Sequence, residues 1–194
     1  MNMKNKPFIK HTGIAVPMMQ DNIDTDQIIP SKEMKSVSKT GLSGGLFARQ
    51  RYFEGRTPDP KCVLNHPEYA GATILLAGKN FGCGSSREHA VWALKEYGFK
   101  VIVAESFGEI FYNNCVRNGI LPIVLHSEII RKLSRECTIY LSDQTIDGEG
   151  FEISEGDKRS LIEGLDMIAQ TLEHQSEISA FITQDTIMRP WIYE

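Results

Sequence analysis

No stretch of this chain approaches the roughly 18 consecutive apolar residues that a membrane-spanning helix needs. Basic charge is also in short supply. Lys and Arg number 21 against 25 Asp and Glu, and the formal charge of −4 argues against a general nucleic-acid binder. Cysteine is scarce and scattered. Cys62, Cys83, Cys115 and Cys137 form no C-x-x-C pair and match no zinc or ferredoxin spacing, so this chain alone is not expected to hold a metal cluster. The N-terminal MNMKNKPFIKH has lysines but no apolar segment behind them. That argues against a secretory signal and, with widely spaced thiols, points to a reducing cytoplasm. Neither a Walker G-x-x-x-x-G-K-[ST] loop nor a G-x-S-x-G elbow occurs, and there is no internal repeat or low-complexity tract.

What is present is an ordinary globular composition: 194 residues, 41% hydrophobic, enough to build the core of one domain. Residues 8–17 alternate weakly and suit a first strand. TILLA (73–77), KVIVA (100–104) and ILPIVL (120–125) are short buried-strand signals. Between them, Ala90, Ala93, Leu94 and Tyr97 mark a helix over 87–97 that ends at Gly98, and Ser106 with Glu109 signals a capped helix over 107–118 closed by Gly119. Strand–helix–strand–helix–strand with short links implies right-handed crossovers and parallel pairing. Farther on, CTIYL (137–141) and FEIS (151–154) flank a turn at Asp147-Gly148 and suggest antiparallel strands. Leu161, Leu165, Ile168 and Leu172 share one face of a helix over 157–173, and a last helix is expected near 176–182. The sum is an α/β domain with a mixed sheet.

The segment 31–61 differs in kind. It is spaced by Gly41, Gly44, Gly45 and Gly55, and seven Lys or Arg minus three acids give it a charge of +4. It reads either as a loop that meets an anion or as a solvated surface excursion.

The densest chemistry lies in GKNFGCGSSREHA (78–90). A strand, a glycine-rich turn and a helix N-terminus follow one another, an arrangement that aims backbone N–H groups and the helix dipole at an anion. Ser85 stands three residues before Glu88 and so also reads as a simple helix cap; Ser86 could cap in its place and leave Ser85 free. Arg87 in the first turn opposes the dipole, which suggests that it grips an anion. Cys83 reads either as a nucleophile near a helix N-terminus or as a small buried thiol. His89 is taken as structural.

Together, NIDTDQIIP (22–30), the 78–90 segment and SFGEIFYNNCVRNGILPI (106–123) resemble the small subunits of the isopropylmalate dehydratases, the swivelling-domain branch of the aconitase family. The resemblance runs over nearly the whole chain. It implies a three-layer β/β/α swivelling domain over 1–194, as in the aconitase C-terminal domain, with 31–61 as an inserted basic flexible loop. It implies a hydro-lyase subunit of leucine biosynthesis that interconverts 2-isopropylmalate and 3-isopropylmalate by dehydration and rehydration. The implied partner is a large subunit bearing a [4Fe–4S] cluster, which acts as a Lewis acid on the departing hydroxyl.

By the same resemblance Ser85 is the base and Asp26 the aspartate that pairs with a histidine of the partner. Arg87 holds a carboxylate of a small dicarboxylate substrate, and Ser86 hydrogen-bonds beside it. A second substrate arginine expected shortly after Asp26 is missing. Lys35, Lys39, Arg49 and Arg51 are the candidates, and Lys39 stands where related small subunits usually have an arginine. Leu42, Leu46 or Phe47 is expected to read the isopropyl group. Competing readings are a related hydro-lyase subunit acting on citraconate/2-methylmalate or a dimethylmalate, a non-catalytic anion-binding module, and a thiol-redox protein using Cys83.

Overall fold

The computed structural model describes residues 5–34, 38–165 and 167–193. Its frame is one seven-stranded mixed sheet whose strands lie in the order 121–124, 101–104, 74–77, 10–18, 136–140, 145–146 and 149–150. In chain order the elements are β1 (Lys10–Met18), the single-turn helix α1 (Thr25–Ile28), a second single turn α2 (Ala48–Arg51), β2 (Ile74–Ala77), α3 (Glu88–Tyr97) and β3 (Val101–Ala104). Then follow α4 (Glu109–Arg117), β4 (Leu121–Val124), α5 (Ser127–Ile130), β5 (Glu136–Tyr140), β6 (Thr145–Ile146), β7 (Glu149–Gly150), α6 (Glu155–Glu163), α7 (Met167–Glu173) and α8 (Gln175–Met188). No helix among the described residues is long and apolar enough to cross a membrane.

β1 serves two partners with its two halves. Lys10–Ile14 pair antiparallel with β5, and Ala15–Met18 pair parallel with β2. The sheet changes direction at that switch, beside Gly13, where any Cβ would run into the Thr73 hydroxyl that His11 hydrogen-bonds. β2, β3 and β4 continue in parallel. They are buried on both faces, which is why they read as unbroken apolar runs. Ile74, Leu76, Val101 and Val103 join a core shared with Cys137, Ile139 and Ile146 of the antiparallel half. Leu75, Ala77, Ile102 and Ala104 face the other way, into a core shared with Ala90, Val91 and Leu94 of α3 and Phe111 and Cys115 of α4. Sheet packs on sheet on one side and helix on sheet on the other, which is the β/β/α layering.

Three expectations change. FEIS (151–154) is not a strand: Asp147 and Gly148 both take positive φ, 50° and 86°. Such a turn closes a two-residue hairpin and confines pairing to β6 and β7. The helix over 157–173 is split after Glu163, because Gly164 caps α6 in the left-handed region and the carbonyl of Asn5 sits where its Cβ would be. Leu161 and Leu165 are therefore buried while Ile168 and Leu172 are exposed. The last helix runs the full length of α8 rather than 176–182.

The described part of the 31–61 excursion docks on α3. Leu42, Leu46 and Phe47 lie in the core against it, so they are not available to read a ligand. Glu96, near the C-terminal end of α3, accepts three backbone N–H bonds, from Gly41, Leu42 and Ser43, at 2.6, 2.5 and 2.7 Å. Burial alone would raise its carboxyl, but those three N–H groups outweigh it and hold it below its ordinary value of 4.5. A depressed carboxylate contributes stability that is present above the unfolded value and lost as pH falls through the folded one. Glu96→Gln should therefore cost on the order of 1 kcal/mol at pH 7, discounted for an exposed carboxylate, with the difference shrinking below about pH 4. Denaturant unfolding of both proteins across pH checks this; a pH-independent difference would contradict it.

Candidate active site

Three loops leave the C-terminal ends of the parallel strands β1, β2 and β3, the edge at which open α/β sheets bind ligands. Backbone hydrogen bonds stitch them together. Gly82 N donates to Ile23 O at 2.7 Å and Thr25 N to Cys83 O at 3.0 Å. Phe81 N donates to Ser106 O at 3.0 Å, and Gly108 N to Phe81 O at 2.9 Å. The Thr25 hydroxyl adds a bond to Ser85 O at 2.8 Å. Gly82 (φ 73°) lies so close to the Phe111 ring, and Gly108 so close to Gly82 O, that a Cβ on either would collide.

The stitched loops border a cleft of about 320 Å³ lined by Thr25, Asn80, Gly82, Cys83, Gly84, Ser86 and Arg87, together with Gly108–Phe111 and Asn114. Ser85 is exposed on the turn beside it. Neither serine caps α3: the N-cap is Arg87, with no side-chain cap bond, so the expected capping box does not form. Likewise α4 starts from Gly108, and the Ser106 hydroxyl accepts instead from Asn80 N at 2.8 Å. Both serines of the turn are thus spared the bland role that sequence alone left open.

Asp26 is the electrostatic centre. Its Oδ1 accepts from Arg87 Nη1 at 2.6 Å, while its Oδ2 pairs with Arg49 Nη1 at 2.7 Å. Ser31 donates to the same carboxylate from its backbone N and its hydroxyl. The hydrogen bond from Arg87, helped by Ser31 and Arg49 and opposed by partial burial, pulls Asp26 down to about 2. It is therefore an anion at any physiological pH. Cys83 lines the cleft, but burial and the neighbouring Asp24 push its thiol up, away from the thiolate that a redox or nucleophilic role requires.

The basic candidates separate clearly. Arg49 reaches Asp26, although no spacing rule singled it out. The turn that delivers it starts at Phe47, a fully buried aromatic held at φ 47° and ψ 34°. Arg51 points inward instead. It donates to the carbonyls of Ser43 and Leu46 and sits 4.9 and 4.8 Å from the Tyr52 and Tyr97 rings. Lys39 lies over the Trp92 ring at 5.0 Å, on the flank of α3. Lys35 lies outside the described residues. Asn114, a buried residue on the cleft wall, was missed; its only sequence signal is a polar residue on the apolar face of a helix.

With Asp26 depressed, its stabilising contribution is present above the unfolded value of 3.8 and is lost as pH falls through about 2. Carbon-detected NMR should find Asp26 titrating near that value. Arg87→Gln should raise it by about one unit and Arg49→Gln by less. An Asp26 that titrates normally would refute the bridging arrangement.

Comparison with known proteins agrees in every direction. The family model described as the aconitase C-terminal domain matches residues 5–128. The 3-isopropylmalate dehydratase small subunit of Cupriavidus necator is 51% identical over 204 residues, covering 97% of this chain and 98% of that one. The protein of the same name from Agrobacterium fabrum is 47% identical, covering 95% and 98%. Among solved structures, 3-isopropylmalate dehydratase from Methanocaldococcus jannaschii superposes with a TM-score of 0.67 at 26% identity, over 89% of this chain and 99% of that one.

Proposed function

The chain belongs to the aconitase C-terminal domain family, and from that premise we propose that it works as the small subunit of a 3-isopropylmalate dehydratase. It is a hydro-lyase subunit that takes 2-isopropylmalate to 3-isopropylmalate by loss and re-addition of water, in the leucine pathway of the cytoplasm. The observation that carries this reading is the cleft itself: an uncapped serine pair and an Asp26-anchored guanidinium gathered at the N-terminus of α3.

A [4Fe–4S] cluster goes with this family's reaction. The described residues offer no group of three ligands for it. Cys62, Cys115 and Cys137 are buried in the core, and only Cys83 reaches the cleft. The residues of this chain do not fit the cluster, and we assign it to the large subunit.

In this reading Ser85 takes the carbon-bound proton as an alkoxide. A serine hydroxyl is far too weak an acid to do so in water, so the N–H groups of the turn, the helix dipole and Arg87 must stabilise the anion in a site closed to solvent. Arg87 also binds one substrate carboxylate, with Ser86 hydrogen-bonding beside it, and Asp26 orients the guanidinium. In the assembled enzyme Asp26 pairs with a histidine of the large subunit. The whole chain acts as one swivelling domain whose 31–61 excursion is looser without its partner.

A second observation supports a partner. The accessible surface is 11149 Å², against about 9,300 Å² expected for a folded chain of 21.8 kDa. In α8 and the turn after it, Phe181, Ile187, Met188 and Trp191 are all more than half exposed. Asp185 of this arm is tied internally by Arg189 and Tyr193, so the exposed apolar side chains dominate its surface and suit a subunit contact.

Reconstitution with the large subunit tests the reading. The purified pair should interconvert the two isopropylmalates while the lone chain does not. Ser85→Ala should cut kcat by at least about 100-fold, and stability should change by less than about 0.5 kcal/mol because the exposed hydroxyl caps nothing. Turnover by the lone chain without iron, or full activity of the alanine variant, would sink it. Phe181→Glu with Trp191→Glu should weaken association with the large subunit by at least about tenfold, measured by interferometry, with circular dichroism unchanged.

A further inference from the structure

Two asparagines one turn apart at the end of α4 are both buried, with 7% of Asn114 and 8% of Asn118 exposed. The amide of Asn118 is fully used. Its Nδ2 donates to Glu88 Oε1 at 2.8 Å and to Asn114 O at 2.9 Å, and its Oδ1 accepts from Trp92 Nε1 at 3.1 Å. The amide of Asn114 has no hydrogen-bond partner among the described residues, yet neither of its polar atoms is sealed from solvent, since among the described residues the buried unpartnered side-chain atom is Arg51 Nε. Asn114 lines the cleft. A residue of the cleft lining that is more than nine-tenths buried thus keeps a solvent-reachable amide unmatched by the protein.

Buried polar groups are normally paired, so an unmatched one facing a cavity marks a group whose partner arrives with the ligand. The same cleft is lined by Arg87 and the glycine-turn backbone, which together favour an anion. We propose that Asn114 is a further substrate-contacting residue, whose Nδ2 donates to a carboxylate oxygen of a small dicarboxylate bound in the cleft that Arg87 also lines. The inference rests on the function proposed above and deepens it. An amide suits the position better than a carboxylate would. It donates to the anion without adding a like charge beside it, and its Oδ1 remains free for a hydroxyl of the same ligand.

The test is steady-state kinetics of the reconstituted two-subunit enzyme with 2-isopropylmalate. Asn114→Ala should raise KM by about 5- to 20-fold, with a smaller change in kcat. It should leave the melting temperature of the small subunit within about 3 °C, because no internal bond is lost. Asn114→Asp should raise KM by about 100-fold at pH 8, with partial recovery toward pH 5.5 as the introduced carboxyl is protonated. Such a recovery is something a packing role would not produce. A melting temperature that falls by more than about 6 °C with KM unchanged in either variant would make Asn114 structural and overturn the proposal. Arg87→Lys serves as the control. If it raises KM while both Asn114 variants are silent, only this inference fails. If it too leaves KM unchanged, the reading of the cleft as the substrate site fails with it.

Discussion

A single carboxylate holds the site together. Asp26 accepts Arg87 on one oxygen and Arg49 on the other, and so ties the loop after β1 to the glycine turn and to the basic excursion. Two guanidiniums brought that near each other would repel without it. At such distances each ion pair is worth about 1 kcal/mol in water and several times more if solvent is excluded. Side-chain exposures of 29% for Asp26 and 55% for Arg49 put the lone chain nearer the first figure. The arrangement is thus strong enough to orient Arg87 and weak enough to be rearranged. Closure against a large subunit would dry the site and shift it toward the stronger regime.

Why these loops meet follows from the strand that serves two partners. β1 pairs antiparallel with β5 through its first half and parallel with β2 through its second. Its C-terminal end therefore joins those of β2 and β3, and the loops that follow emerge side by side. Glycine does the rest. Gly82 and Gly108 let two backbones and the Phe111 ring touch, which draws the α3 and α4 N-termini to the same cleft. α3 then links the site to the excursion. Arg87 is its N-cap and Glu88 its first residue, and Glu96 near its far end clamps the N–H groups of residues 41–43.

The parallel half of the fold was legible because buried strands and amphipathic helices write their period into the chain: TILLA, KVIVA and ILPIVL each fall on a strand. Helix caps were not. Ser85 and Ser106 satisfy the capping pattern in sequence, but tertiary stitching moves the helix starts to Arg87 and Gly108. The split at Gly164 depends on the passing carbonyl of Asn5, a contact more than 150 residues away in the chain. Within the basic excursion, charge could be counted but not aimed. Arg49 and Arg51 are two residues apart, and only the left-handed backbone at Phe47 sends one to Asp26 and the other into the core.

Two buried polar side chains show how a protein distinguishes structure from readiness. Arg51 is nearly as buried as Asn114, with 9% exposed, and it too keeps an unmatched atom, Nε. Its guanidinium is nonetheless occupied by two backbone carbonyls and two tyrosine rings. The sealed Nε is then a small residual cost of a packed cation, with nowhere for a ligand to enter. Asn114 carries the opposite pattern: its backbone is used by the helix end, its amide is not, and the residue lines the cleft that holds Arg87. An amide left unmatched by the protein at a cleft lined by a guanidinium is free to bond a ligand there. On that physical ground Arg51, which sequence favoured, is packing, and Asn114, which sequence passed over, belongs with the site.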